Sequence, residues 1–74
     1  IVADKWSVSD KIEYLLDIVP VGGRVVFESL FSSAASRSEV IVTFLAVLEL
    51  IKLNHLEIEQ EGMLGAILVI RPSV

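Results

Sequence analysis

The longest apolar segment of the chain, residues 36–53, has the pattern of a capped helix. Ser36 and Glu39 have the spacing of a capping box, in which each side chain accepts a hydrogen bond from the other residue's backbone. Of the twelve residues that follow, only Thr43 and Glu49 are polar. Twelve is too few to cross a bilayer, which takes about 20 apolar residues. The segment is therefore predicted to be a helix of a folded domain.

This helix is apolar on two sides, whereas a surface helix normally buries one stripe and hydrates the rest. At about 100° per residue its side chains fall into two arcs. The arc predicted to be buried comprises Val40, Thr43, Ala46, Val47, Leu50 and Ile51. The other, here called the apolar stripe, comprises Ile41, Phe44, Leu45 and Leu48. Because a small chain can cover only one arc, the stripe is predicted to be exposed and to bind a partner.

Upstream, the chain has the pattern of an amphipathic first helix. Ser7 and Asp10 give a start that resembles a capping box, and Pro20 ends the segment. The residues predicted to face inward are Val8, Ile12, Leu15, Leu16 and Val19. Four charged residues are predicted to lie outside them: Asp10, Lys11, Glu13 and Asp17.

The remaining patterns complete a small α+β domain. They predict a short strand over residues 24–27, a short helix over 28–31 that turns Phe27, Leu30 and Phe31 inward, and a hairpin formed by residues 56–60 and 66–70. This order is that of a winged helix, in which a three-helix core carries a β-hairpin wing. The domain is expected to span residues 7–72, after a lead-in of residues 1–6.

Composition and charge favour a protein partner over a nucleic acid. Apolar residues make up 54% of the chain, against about 45–50% in typical domains. The net charge is −4 with only six Lys and Arg, whereas affinity for phosphates comes mostly from basic residues. On the third helix only Lys52 can reach a phosphate, and Glu57, Glu59 and Glu61 on the wing would repel a duplex. Since the chain starts at Ile1, we expect it to be part of a longer protein.

Catalytic and metal chemistry find no support in the sequence. There is no Cys, and His55 is the only histidine, so neither a thiolate nor a two-histidine metal site can form. The Gly22 and Gly23 pair lacks the motifs of a phosphate-binding loop. The serines of residues 32–38 have no base to activate them. We therefore expect no enzyme activity, no cofactor and no metal.

Several runs carry a resemblance to a known family. They are ASR at 35–37, VIVTFLAVLELIKL at 40–53, EQ at 59–60 with Gly65, and RVVFESLF at 24–31. Together they resemble the C-terminal domain of the bacterial segregation and condensation protein A family, the ScpA kleisins. The similarity covers roughly residues 7–70. It departs at Leu64, where an aromatic residue is common, and at Asn54, where glycine is frequent.

The resemblance implies a winged helix that docks on the ATPase head of a structural-maintenance-of-chromosomes (SMC) protein, in the cytoplasm at the nucleoid. Other regions of the full-length protein would bind ScpB. Neither membrane binding nor direct nucleic-acid binding is expected. The residues that match the docking face are Ile41, Phe44, Leu45, Leu48 and Lys52, with Gln60 and Leu64 at the rim.

Two alternatives stay open: a DNA-binding winged helix of a transcription regulator, and self-association as a weak homodimer through the apolar stripe. In a third interpretation Ile41 and Leu45 are core residues under the wing or the first helix.

Overall fold

Among the residues that the computed structural model describes, which are 6–32, 34 and 36–73, six elements follow one another in the predicted order. They are α1 (Val8–Ile18), β1 (Arg24–Val26), a 3₁₀ helix (Phe27–Phe31), α2 (Arg37–Lys52), β2 (Glu57–Gln60) and β3 (Ile67–Ile70). The α+β class is confirmed. The predicted second helix is a short 3₁₀ helix, and the winged-helix assignment stays a prediction. The predicted lead-in falls mainly on residues 1–5, outside the described residues.

The three strands form an antiparallel sheet in the order β1-β3-β2. The central strand β3 pairs Val69 with Val25 on one side and with Ile58 on the other. Strands β2 and β3 form the predicted hairpin, and Gly62 in its turn has a φ of 74°, which glycine adopts without strain. The side chain of Val69 is fully buried, so the central strand of the sheet forms part of the core.

Helix α1 is fixed at both ends by hydrogen bonds. At its start Asp10 Oδ2 accepts from the Ser7 backbone N–H and Ser7 Oγ accepts from the Asp10 N–H, both at 3.0 Å. The hydrogen bond from the Ser7 backbone N–H and, to a smaller extent, the Ser7 hydroxyl lower the pKa of Asp10, because both favour its carboxylate form. At its end the Arg71 guanidinium donates to the carbonyls of Leu16 and Val19, at 2.7 and 3.1 Å. The residue after β3 therefore holds the C-terminus of α1 against the sheet.

The core lies where α1, α2, the 3₁₀ helix and β3 meet. Its buried side chains are Leu15, Val19, Leu30, Ala46, Val47, Leu50, Leu56 and Val69. Helices α1 and α2 pack directly on each other and supply half of them. One face of α2 is therefore committed to the core.

A buried ion pair joins the two α-helices. Lys11 Nζ lies 2.7 Å from Glu39 Oε2, and the two side chains are only 4% and 12% exposed. The ammonium group also lies 4.3 Å from the ring centroid of Trp6 and 4.7 Å from that of Tyr14, which is cation–π geometry. The sequence-based placement of Lys11 outside the core was wrong, because its apolar stem enters the helix interface and its charge meets Glu39 there.

We expect Lys11→Ala to reduce the free energy of unfolding by about 3 kcal/mol, because breaking a buried pair leaves the other charge in a dry site. Urea denaturation would measure the change. Lys52→Ala is the matched control, since Lys52 is exposed, and it should change the unfolding free energy by less than about 0.5 kcal/mol. Equal effects of the two substitutions would contradict the structural role of the pair.

Candidate functional site

Helix α2 has one buried face and one exposed face. Its buried residues are Thr43, Ala46, Val47 and Leu50. The apolar stripe lies on the exposed face, where the side chains are 51% exposed at Ile41, 43% at Phe44 and 46% at both Leu45 and Leu48. The predicted exposure of the stripe is confirmed, and the interpretation of Ile41 and Leu45 as core residues is wrong.

The buried face of α2 matches its prediction except at two residues, one near each end of the helix. Thr43 can be buried because its hydroxyl donates to the Glu39 carbonyl at 2.7 Å, which satisfies its polar group. Val40 was predicted to be buried but is 39% exposed, and Ile51 is half-buried. Val40 lies in the first turns of α2, where it borders an open groove beside the 3₁₀ helix instead of the core.

That groove, here called the aromatic groove, is an apolar cavity of about 370 Å³ between the 3₁₀ helix and α2. Its lining residues are Phe27, Phe31, Val40, Ile41 and Phe44. The rings of Phe27 and Phe31 pack edge to face, with centroids 5.1 Å apart. Of the three residues predicted to face inward, Leu30 is buried, while Phe27 and Phe31 are partly buried and pack against the core. The groove was not predicted from the sequence, although two Phe residues four positions apart were a signal for it.

Lys52 and the residues predicted at the rim lie on different elements, Lys52 at the end of α2 and Gln60 at the end of β2. Lys52 is the last residue of α2 and follows Leu48 by four positions, so it lies on the stripe's side of the helix. In the β2–β3 hairpin, the Gln60 amide donates to the carbonyls of Met63 and Gly65, while the Leu64 side chain is 96% exposed. Gln60 therefore shapes the turn. The role of Gln60 and Leu64 at the rim of a partner site stays a prediction.

Gly65 has a steric reason to be glycine. A Cβ atom at this position would overlap the carbonyl oxygen of Glu61. A side chain at position 65 would therefore force the hairpin turn open, which would move Met63 and Leu64. The turn that presents these two exposed apolar residues depends on both Gly65 and the Gln60 amide.

Residues 6–32, 34 and 36–73 contain neither a metal-binding cluster nor a membrane-spanning helix. Within these ranges no group of three or more His, Asp or Glu residues could hold a metal ion. His55 is exposed, and its backbone N–H donates to the Leu50 carbonyl at 2.8 Å as α2 ends. In the same part of the chain, no helix has the length and apolar character needed to cross a membrane.

Comparison with known protein families shows which family the chain belongs to. The family described as "Segregation and condensation protein ScpA" matches residues 3–71, nearly the whole chain. The chain belongs to the ScpA family. The resemblance inferred from the sequence is thereby confirmed.

Individual ScpA relatives agree with this assignment. Segregation and condensation protein A of Brevibacillus brevis is 36% identical over 66 residues, which are 89% of this chain and 26% of the relative. The protein of the same name from Myxococcus xanthus is 36% identical over 72 residues, 95% of this chain and 25% of the relative. That of Clostridium acetobutylicum is 32% identical over 73 residues, 99% of this chain and 29% of the relative.

The chain thus spans about a quarter of the length of these ScpA relatives. No solved structure shows a significant match to it.

In this ScpA chain, Leu48→Glu should leave the fold intact, with the free energy of unfolding changed by less than about 1 kcal/mol, because the new carboxylate stays in water. Val47→Glu is the matched comparison one position away. It should abolish the cooperative transition, because it buries an unpaired charge in the core. Thermal unfolding followed by circular dichroism measures both. Loss of the transition in Leu48→Glu would show that the stripe belongs to the core.

Proposed function

We propose that this chain is a protein-docking domain of a ScpA kleisin that binds the ATPase head of an SMC protein and so takes part in chromosome segregation and condensation. The observation that carries the proposal is the apolar stripe, four large side chains exposed side by side on α2. Contiguous exposed apolar surface on a small domain is typical of a protein interface. The choice of the SMC head as partner rests on the resemblance to the kleisins.

The proposed fold is a winged helix. The order of the elements supports it, and so does the β2–β3 hairpin, which stands in the position of a wing. The 3₁₀ helix takes the place of the second helix. In this arrangement α2 is the third helix of the core, so the stripe lies on the helix by which the kleisin domain would dock.

The energetics limit what the stripe can do alone. Each of its side chains keeps roughly half its surface exposed, and burying that remainder contributes about 1 kcal/mol per residue. The four together supply about 4 kcal/mol, while association costs an estimated 4 kcal/mol or more. The interface must therefore extend beyond the stripe. Within it, Phe44 and Leu48 act as the central anchors. Lys52 contributes mainly to orientation at its edge.

The same surface argues against the DNA-binding alternative. The chain has a net charge of −4, and the exposed face of α2 offers aliphatic and aromatic groups where a DNA groove requires hydrogen-bonding side chains. In the proposed role the domain hydrolyses nothing itself and acts on ATP turnover only through the head. ScpB would bind elsewhere on the full-length protein, which would work at the nucleoid in the cytoplasm.

Isothermal titration calorimetry of this domain into a purified SMC ATPase head tests the proposal. We expect saturable one-to-one binding that Leu48→Glu weakens at least tenfold, because the variant places a charge against an apolar partner surface. A folded domain that gives no binding to the head would contradict the proposed function. Equal binding of the variant would place the docking face elsewhere.

Two control measurements separate the alternatives. Titration with random duplex DNA at low salt should show no binding, whereas a regulator would bind with a steep salt dependence. Sedimentation of the isolated domain reports self-association. A dimer that Leu48→Glu dissociates, in a domain without affinity for the head, would favour the homodimer.

A further inference from the structure

The aromatic groove and the apolar stripe form one continuous surface. Ile41 and Phe44 belong to both, since they line the groove and are also half of the stripe. A partner that covers the stripe must therefore pass over the mouth of the groove. The shape of the groove decides what that partner has to carry there.

An empty groove under an interface would be unfavourable. All five lining residues that the structure describes are apolar, so a trapped water would find among them none of the two to four polar partners that hold buried water in place. The lining side chains would also forgo van der Waals contacts on their open side. Well-packed interfaces fill such pockets with one anchoring side chain of the partner.

We propose that the aromatic groove receives one bulky apolar side chain of the SMC head, preferentially an aromatic one, as an anchor separate from the stripe. This inference rests on the proposed function. The groove's volume of about 370 Å³ admits a single large side chain with room for the segment that bears it. Three of the five lining residues are Phe, and aromatic rings pair favourably edge to face. The 3₁₀ helix thereby joins α2 as part of the docking surface.

Filling the groove tests the inference without introducing a charge. Val40 lines the groove and is 39% exposed, so Val40→Trp places an indole where the partner's side chain would enter. We expect affinity for the SMC head to fall at least tenfold while the thermal transition is kept. The matched control is Val21→Trp, which adds the same group at an exposed valine in the turn after α1 and should bind as the unmodified chain does.

The outcomes distinguish the groove from the function. If Val40→Trp binds normally while Leu48→Glu does not, the groove inference is wrong and the docking function stands. If the unmodified chain does not bind the head, the proposed function is wrong, and so is the inference that a side chain of the head fills the groove. Normal head binding by Val40→Trp, with a homodimer of the unmodified chain that this variant dissociates, would assign the groove to a second copy.

A second measurement needs no substitution at the groove. In methyl NMR spectra of the free domain, a soluble paramagnetic agent should broaden the resonances of both Val40 and Leu48, because both side chains are exposed. Addition of the head should protect both. Protection of Leu48 with continued broadening of Val40 would overturn the inference.

Discussion

Helix α2 carries more apolar side chain than the rest of the chain can cover. Helix α1, the 3₁₀ helix and the sheet together bury one face of it, while the side chains of the other face stay about half exposed. The core is complete without the stripe, since Leu50 and Val47 are already almost fully buried. A polar side chain at Leu48 would cost the fold little. The packing of the core therefore does not account for the stripe, which supports the proposal that it binds a partner.

Glu39 fixes the orientation of α2 through three of its groups. Its N–H donates to Ser36 Oγ at the helix start, its carbonyl accepts from the buried Thr43 hydroxyl, and its carboxylate pairs with Lys11 of α1. The first turns of α2 are thus tied to the neighbouring helix at the end where the aromatic groove lies. A surface held in this way loses little conformational entropy on binding, which is the advantage of preorganisation.

The sequence predicted those features that depend on local periodicity. The two faces of α2, the capped start of α1 and the β2–β3 hairpin follow from spacing alone. Lys11 was misplaced, because a charged residue on a helix is normally solvated and only the approach of Glu39, 28 positions away, makes burial favourable. The aromatic groove was missed for a similar reason: it exists only where the 3₁₀ helix meets α2.

A surface that binds one partner through exposed apolar side chains must also avoid nonspecific association. Exposed Phe and Leu side chains favour nonspecific association, while a net charge of −4 keeps copies of the domain apart. The aromatic groove also limits nonspecific contacts, because a flat apolar surface would cover the stripe but leave the groove empty. A partner that fills both gains contacts that other proteins do not. In the proposed interface, the concave part of the surface would therefore supply specificity, and the stripe would supply most of the buried area.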